Sequence, residues 1–445
     1  MAGAHDEGVA GALRVAEALG VAVVDGLGVV GADVPEVVGT WVVEGRGVTP
    51  PEEARGAGPE VQAAASEATT AIRTPAVRAE GRSRRRGLGG IVRAYPVGVV
   101  APLHTGGVVP NRYVAAVTTP PIPVVLDVDT GVDDACALLL AALHPGLDLR
   151  AVSCVGGNAS VDDVVRNTLL VLETAGRAEV PVARGAERPL LEAPVNARHV
   201  HGDDGMADLG WGPAELTADP RHAVELLRDV CREAAGADRP VTLVPLAPLT
   251  NIALLLRTYP DAAQGISEIV FMGGAANVGN ATASAEFNVF HDPEAAAVTL
   301  DAAADLGIPV TMYGLDVFYE PVVGVDVVDE LLAVGGRGPA ELGGRLLAFQ
   351  NERFGRDAST IGDAGAVCAV LDRAGLTTQT LPLRVELAGT WSRGRTIVDR
   401  RDWSGDMAHD PHGEAPVRID VALEVDGPRY AALWADTLLG RVGER

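Results

Sequence analysis

The octet Asp127-Val-Asp-Thr-Gly-Val-Asp-Asp134 places four carboxylates within eight residues. The apolar run Pro123-Val-Val-Leu126 precedes it and reads as a buried strand. The run Ala135-Cys-Ala-Leu-Leu-Leu-Ala-Ala-Leu143 follows it and reads as a buried helix. The carboxylates therefore crowd one strand-to-helix turn, where like charges raise one another's pKa and call for a compensating positive charge. Hard oxygen donors in this number suit Ca²⁺ or Mg²⁺, with no His or Cys pattern nearby to argue for zinc. Gly131 is expected to allow the sharp bend, and the helix N-terminus adds its own positive end. Helix capping competes with this reading, because Asp133 and Asp134 in a first turn suit the macrodipole without any ligand. Capping leaves Asp127 and Asp129 unexplained, so the octet reads as a metal site at a strand terminus.

The elements that must hold such a turn follow in the chain. After Val124, strands predicted at 149–155, 180–183, 240–244, 266–272 and 308–313 alternate with helices at 161–173, 222–235, 250–256 and 293–306. This alternation predicts the α/β class, a doubly wound and mostly parallel sheet with helices on both faces. The strands end in Asp129, Asn158, Gly273 and Asp316, which the fold would gather on one carboxyl edge, the ligand-binding edge of such sheets. Stretches 384–387 and 418–425 read as further strands.

Composition narrows the function. All 36 basic residues are arginine, against 60 acidic ones, and the net charge is −24. That balance disfavours nucleic acid and anionic membranes as partners and leaves neutral small molecules and cations. Cys136, Cys154, Cys231 and Cys368 lie far apart in apolar segments, as expected of reduced, buried thiols in a cytoplasmic protein. No basic, apolar leader opens the chain, and the apolar stretch 20–43 is interrupted by Asp25, Asp33 and Glu36, which disfavours a membrane span. Residues 1–120 differ in texture: they are nearly neutral and read as a low-complexity, weakly structured or accessory extension. Short helices are predicted at 9–19 and 61–72. The basic cluster Arg82-Ser-Arg-Arg-Arg86 reads as a solvated linker, and Thr118-Thr-Pro-Pro-Ile-Pro123 as the linker into a body spanning 121–445.

That body resembles the inosine–uridine-preferring nucleoside hydrolases. The octet is joined, in order, by Gly156-Gly-Asn158, His201-Gly-Asp-Asp-Gly205 and Ala247-Pro-Leu-Thr-Asn-Ile-Ala253. Met272-Gly-Gly, Gly279-Asn-Ala-Thr, Glu286-Phe-Asn288 and Asp292-Pro-Glu-Ala-Ala then follow. The resemblance implies hydrolysis of the N-glycosidic bond of ribonucleosides to ribose and free base. It also implies Ca²⁺ held by Asp129, Asp134, the Leu246 main-chain carbonyl and Asp363, where it would lower a water's pKa and take the sugar's 2′ and 3′ hydroxyls, with Asp129 as general base. Asp133, Asn158, Asn280, Glu286 and Asn288 would clamp the ribose, since amides and carboxylates match hydroxyls as donors and acceptors. Met272 and Phe287 would pack on sugar or base, and His201 would touch the nucleoside. A homo-oligomer, dimer or tetramer, is the implied assembly.

One departure stands out. Relatives often carry, before the metal-binding aspartate, a His that protonates the leaving base, whereas this chain has Gly362. His291 or His201 could serve instead, the base could leave by stacking on an aromatic ring, or the chain could be a weakly active or non-catalytic ribonucleoside binder. The haloacid-dehalogenase-type phosphatases also open on Asp-x-Asp at a strand end, but they use a later lysine that this chain lacks. Trp391 and Trp403 could line the base pocket or fill the core, and the core is the expectation.

Overall fold

In the computed structural model, the described residues are 42–44, 47–49, 120–401 and 415–442. The chain divides into two compact units, 1–107 and 108–445. In the first, β1 (Val42–Glu44) and β2 (Gly47–Thr49) form an antiparallel pair. The helices expected at 9–19 and 61–72, the basic cluster at 82–86 and Trp403 lie outside the described residues. The expected linker ends earlier than Pro123, because the first strand of the second unit already includes Ile122.

The second unit is built on one nine-stranded sheet. In chain order its strands are β3 (Ile122–Val128), β4 (Leu147–Cys154), β5 (Val182–Arg184), β6 (Val241–Pro245), β7 (Ile266–Met272) and β8 (Val310–Tyr313). A short pair, β9 (Val322–Gly324) and β10 (Ala358–Thr360), stands apart. The sheet is completed by β11 (Leu376–Val385), β12 (Thr396–Val398) and β13 (Val417–Val425), in the spatial order β12-β11-β13-β8-β7-β6-β3-β4-β5. Every pairing from β13 to β5 is parallel, and only β11 runs antiparallel to its neighbours. Chain order runs outward from the β3/β6 seam through β4 and β5 on one side and through β7 and β8 on the other, so the carboxyl ends of these two strands frame the topological switch point.

Side-chain alternation explains why both faces are covered. Along β3, Val124, Leu126 and Val128 join one core and Val125 joins the other. The first core is closed by helices Val132–Leu143, Val161–Thr174, Pro339–Phe354, Ala364–Leu371 and Gly427–Leu438. The second is closed by Ala223–Gly236, Thr250–Thr258 and Pro293–Leu306. Helix Val132–Leu143 is apolar on nearly every side because neighbours enclose it completely. All four cysteines are free and buried. No helix among the described residues is long and apolar enough to cross a membrane.

The stretch 384–387 proves to be only the end of a long strand, Leu376–Val385. Helices Val325–Val334 and Pro339–Phe354 escape the alternation because they are inserted between the two strands of the small β9–β10 pair. Trp391 is not core: it is 88% exposed on the turn between β11 and β12. The tryptophan that does fill the core is Trp434, fully buried, with Nε1 donating to the Cys136 carbonyl at 2.9 Å. That bond pins the terminal helix Gly427–Leu438 to helix Val132–Leu143, whose first turn carries Asp133 and Asp134. Trp434→Ala should therefore lower stability by about 3–5 kcal/mol through cavity formation, read as a fall in the urea midpoint. An unchanged midpoint would show that the terminal helix contributes nothing to holding the octet.

Candidate active site

The carboxyl ends of β3, β4, β6 and β7 deliver the octet, Gly156-Gly-Asn158, Leu246 and Met272 to one edge. Asp129 and Asp134 are fully buried, and one amide holds them together. Asn158 Nδ2 donates to Asp129 at 3.1 Å and to Asp134 at 3.3 Å, while the Asn158 main-chain N–H donates to Asp129 at 2.6 Å. Asp134 also accepts the main-chain N–H groups of Asp129 (3.2 Å) and Gly131 (2.9 Å). It thus caps its helix and faces the cluster at once, so the capping and metal readings both apply to this residue.

Ligand oxygens of Asp133, Asp134 and Asp363 lie within 4.8 Å of one another. Asp363 arrives from a different part of the chain, at the start of helix Ala364–Leu371. Burial, then the like charges of Asp134 and Asp133, push Asp129 well above the ordinary carboxylate range. Burial, then Asp133, lifts Asp134 to about 7. Asp363 is raised well above normal by burial and by Asp133, Asp134 and Asp129. Asp133 Oδ1 is buried without a hydrogen-bond partner. Such a cluster of hard oxygen donors with an unmet acceptor fits a divalent cation of the Ca²⁺ or Mg²⁺ type.

Asp127, the fourth carboxylate, faces elsewhere. It accepts from Ser153 at 2.6 Å and from Asn251 at 2.8 Å, and Asn251 also bonds the Cys154 carbonyl and the Ala186 N–H. The Asp127 carbonyl accepts from the Leu246 N–H at 2.8 Å. This residue fastens the motif Ala247-Pro-Leu-Thr-Asn-Ile-Ala253 behind the site and holds the turn that presents Leu246.

Gly131 is present for a different reason from the one its sequence context suggests. Its φ is −94°, open to any residue, but a Cβ there would lie 2.7 Å from His201 Nδ1 and 2.8 Å from Asn158 Nδ2. The constraint is close approach, as at Gly157, where a Cβ would meet Asp129 Oδ2 at 2.1 Å.

Above the carboxylates opens a cavity of about 530 Å³. Asp133, Asn158, His201, Met272, Asn280, Glu286, Phe287 and Asn288 all line it, together with Leu246 and Asp363. Their present bonds differ. Asn288 Nδ2 donates to the carbonyls of Leu246 (2.9 Å) and Met272 (3.2 Å). Asn280 accepts from the Phe287 N–H at 2.9 Å. Glu286 caps helix Phe287–His291, accepting the N–H groups of Asn288, Val289 and Gly274, while burial lifts its pKa to about 7. His201 Nδ1 accepts the Val132 N–H at 3.2 Å and sits 3.7 Å from Asp133, and burial lowers its pKa, so the ring is neutral with its proton on Nε2. His291 is buried beside the Phe287 ring, with neither nitrogen hydrogen-bonded among the described residues, and burial lowers its pKa to about 4.

The aromatic part of the lining had no signal in the sequence. Phe290 comes from helix Phe287–His291, Phe318 and Tyr319 from the end of helix Leu315–Phe318, Gln350 and Phe354 from helix Pro339–Phe354, and Arg356 from the connection after it. Residues four apart on a helix, such as Gln350 and Phe354, share a face, which is a spacing the sequence does contain.

Comparison with known proteins accords with this geometry. Residues 124–432 match the family described as inosine-uridine preferring nucleoside hydrolase. The chain belongs to that family. It is 38% identical over 328 residues to the inosine-uridine preferring nucleoside hydrolase of Leishmania major, covering 73% of this chain and 99% of the relative. It is 36% identical over 326 residues to the pyrimidine-specific ribonucleoside hydrolase RihA of Escherichia coli O8 (strain IAI1), covering 71% and 98%. Among solved structures, the plant nucleoside hydrolase PpNRh1 superimposes with a TM-score of 0.64 at 28% identity, covering 72% of this chain and 99% of that one. The nucleoside hydrolase fold and family enzyme activity on ribonucleosides are thereby shown, and the phosphatase reading falls away.

The raised carboxylates set a pH dependence for this nucleoside hydrolase. Between the ordinary range near 4 and about 7, the folded chain keeps protons that the unfolded chain releases, so without a cation stability falls as pH rises through that window. A cation competes with those protons and stabilises most where they have left. The thermal midpoint of the metal-free protein should therefore drop from about pH 5 to about pH 8, and saturating Ca²⁺ should raise it more at the higher pH. An increment that is equal at both pH values would contradict a cation seated among these carboxylates.

Proposed function

We propose that this chain hydrolyses the N-glycosidic bond of ribonucleosides with Ca²⁺ as cofactor and Asp129 as general base. The observation that carries the reading is the cluster of Asp133, Asp134 and Asp363 oxygens within 4.8 Å of one another, with Asp129 bridged to Asp134 through Asn158, at a cavity of about 530 Å³ that Leu246 also lines. Asp129, Asp134, Asp363 and the Leu246 carbonyl would hold the cation, which when bound supplies the charge that acidifies a water and grips the ribose diol.

The protein's own groups do the rest. Asn158 fixes both Asp129 oxygens, so the carboxylate that receives the proton is oriented in advance. Burial raises the basicity of that carboxylate, which suits a base that must take a proton from water. Asp133 offers an unmet acceptor to a sugar hydroxyl. Once that hydroxyl is seated, the surrounding carboxylates stabilise the positive charge that grows on the ribosyl ring as the base departs, a gain specific to the transition state. Asn280, Glu286 and Asn288 complete the clamp, and Met272 and Phe287 cover the sugar and the near face of the base. His201, with its proton on Nε2, is a donor toward the nucleoside.

Incubating the purified protein with a panel of purine and pyrimidine ribonucleosides should release reducing sugar only when Ca²⁺ is present. Asp129→Ala should cut that rate by about 10²–10⁴-fold while leaving the fold intact. An unchanged rate in the variant would remove Asp129 from the role of base. Ca²⁺-dependent nucleoside binding by calorimetry with no turnover in the parent would instead establish the non-catalytic relative that Gly362 suggests.

A further inference from the structure

The cavity lining combines two chemistries. One is the carboxylate group of Asp133 and Asp363. The other is formed by Phe318, Tyr319, Gln350, Phe354 and Arg356. Gly362 lies between them, in the left-handed region at φ +55°, where a Cβ would come within 2.5 Å of the Asp133 Cβ and 3.0 Å of Phe318. A side chain in that place is strained and obstructed, so the backbone itself excludes an acid immediately before Asp363. A departing base nonetheless collects negative charge, and another group of the lining must meet it.

Arg356 is the only guanidinium on the cavity wall among the described residues. Its neighbour Arg353 is committed, donating to the His199 carbonyl. Arg356 has no ion pair among the described residues, and its guanidinium carbon lies 5.7 Å from the Phe354 ring centroid. Tyr319, packed edge-on against Phe318 at 5.0 Å, is close enough to feel that charge: burial raises the phenol's pKa, while Asn280 and Arg356 pull it down. An aromatic enclosure with one uncommitted, permanently charged fork at its rim is chemically matched to a flat heterocycle that becomes an anion.

We propose that Arg356 is the catalytic residue of the leaving-group side, pairing with the negative charge on the departing base. The inference rests on the ribonucleoside hydrolase reading above and supplies what Gly362 lacks. The C1′–N bond breaks with its electron pair going to the base nitrogen. Water forms the new C1′–O bond and its proton goes to Asp129. The base anion, held on the guanidinium, then takes a proton from solvent at the cavity mouth while Asp129 returns its proton to solvent, so one water enters and ribose and neutral base leave. The guanidinium transfers no proton, and its parallel N–H groups can reach a ring nitrogen and an exocyclic oxygen of a base together. Because the charge is absent from the bound nucleoside, the interaction lowers the barrier more than it tightens binding.

The test compares the parent, Arg356→Ala and Arg356→Lys on inosine, uridine and 4-nitrophenyl β-ribofuranoside, whose nitrophenolate leaves without help. Arg356→Ala should lower kcat on inosine and uridine by about 100-fold, the low end for removing one transition-state donor because the site is open to solvent. The nitrophenyl riboside should keep its rate within about threefold, Lys should restore part of the loss, and the thermal midpoint should not move. An equal loss on all three substrates, a change in KM alone, or no loss at all would overturn the proposal. A parent inactive on every riboside would bring down the hydrolase reading itself, and this inference with it.

Discussion

Buried negative charge at the β3/β6 seam is the constraint from which the rest of the structure takes its meaning. Asp129, Asp134 and Asp363 are removed from water, Asp134 and Asp363 lie within 4.8 Å of Asp133, and Asp129 is tied to Asp134 through Asn158. Carboxylates so placed are costly unless a proton or a cation neutralises them. The fold does not relieve the cost by splaying them apart. It spends Asn158, two main-chain N–H groups and two closely packed glycines on keeping them together. A cluster held this firmly against its own repulsion is organised for a ligand of opposite charge.

The layers around the cluster follow from that requirement. Strand β3 must end at the switch point, where chain order reverses and a crevice forms. Asp127 closes the back of the crevice by tying β4, Asn251 and the Leu246 turn to the same strand end, which explains a carboxylate that points away from the site. Asp292 works similarly at a distance: it caps helix Pro293–Leu306 and accepts from Thr250 and Leu190, locking the Asp-Pro-Glu motif to the Thr-Asn motif. Motifs far apart in the chain are therefore parts of one polar frame behind the cavity.

Much of this was legible in the residues themselves. The parallel core follows from apolar runs with the period of buried strands, and strand Ile266–Met272 and helix Pro293–Leu306 fall where those runs predict. The sugar end of the site is legible because its residues sit at strand ends, within short motifs. The base end is not, because Gln350, Phe354 and Arg356 reach the cavity from an insertion between β9 and β10, and Tyr319 from the turn before β9, and the position of both depends on long-range packing. Trp391 shows the opposite failure: aromaticity alone suggests burial, yet the residue occupies an exposed turn while Trp434 fills the core. Gly131 was identified as necessary for a dihedral it does not adopt, since only the folded state brings His201 and Asn158 against it.

Family membership and geometry converge on the acidic floor of the cavity, and that floor can be tested without reference to turnover. The decisive measurement is a crystal structure of the protein grown at neutral pH with Ca²⁺. The account predicts one ion about 2.3–2.6 Å from oxygens of Asp129, Asp134, Asp363 and the Leu246 carbonyl, with Asn288 Nδ2 displaced from that carbonyl. A refined structure showing these carboxylates paired through shared protons, with the ion absent or bound elsewhere, would contradict it.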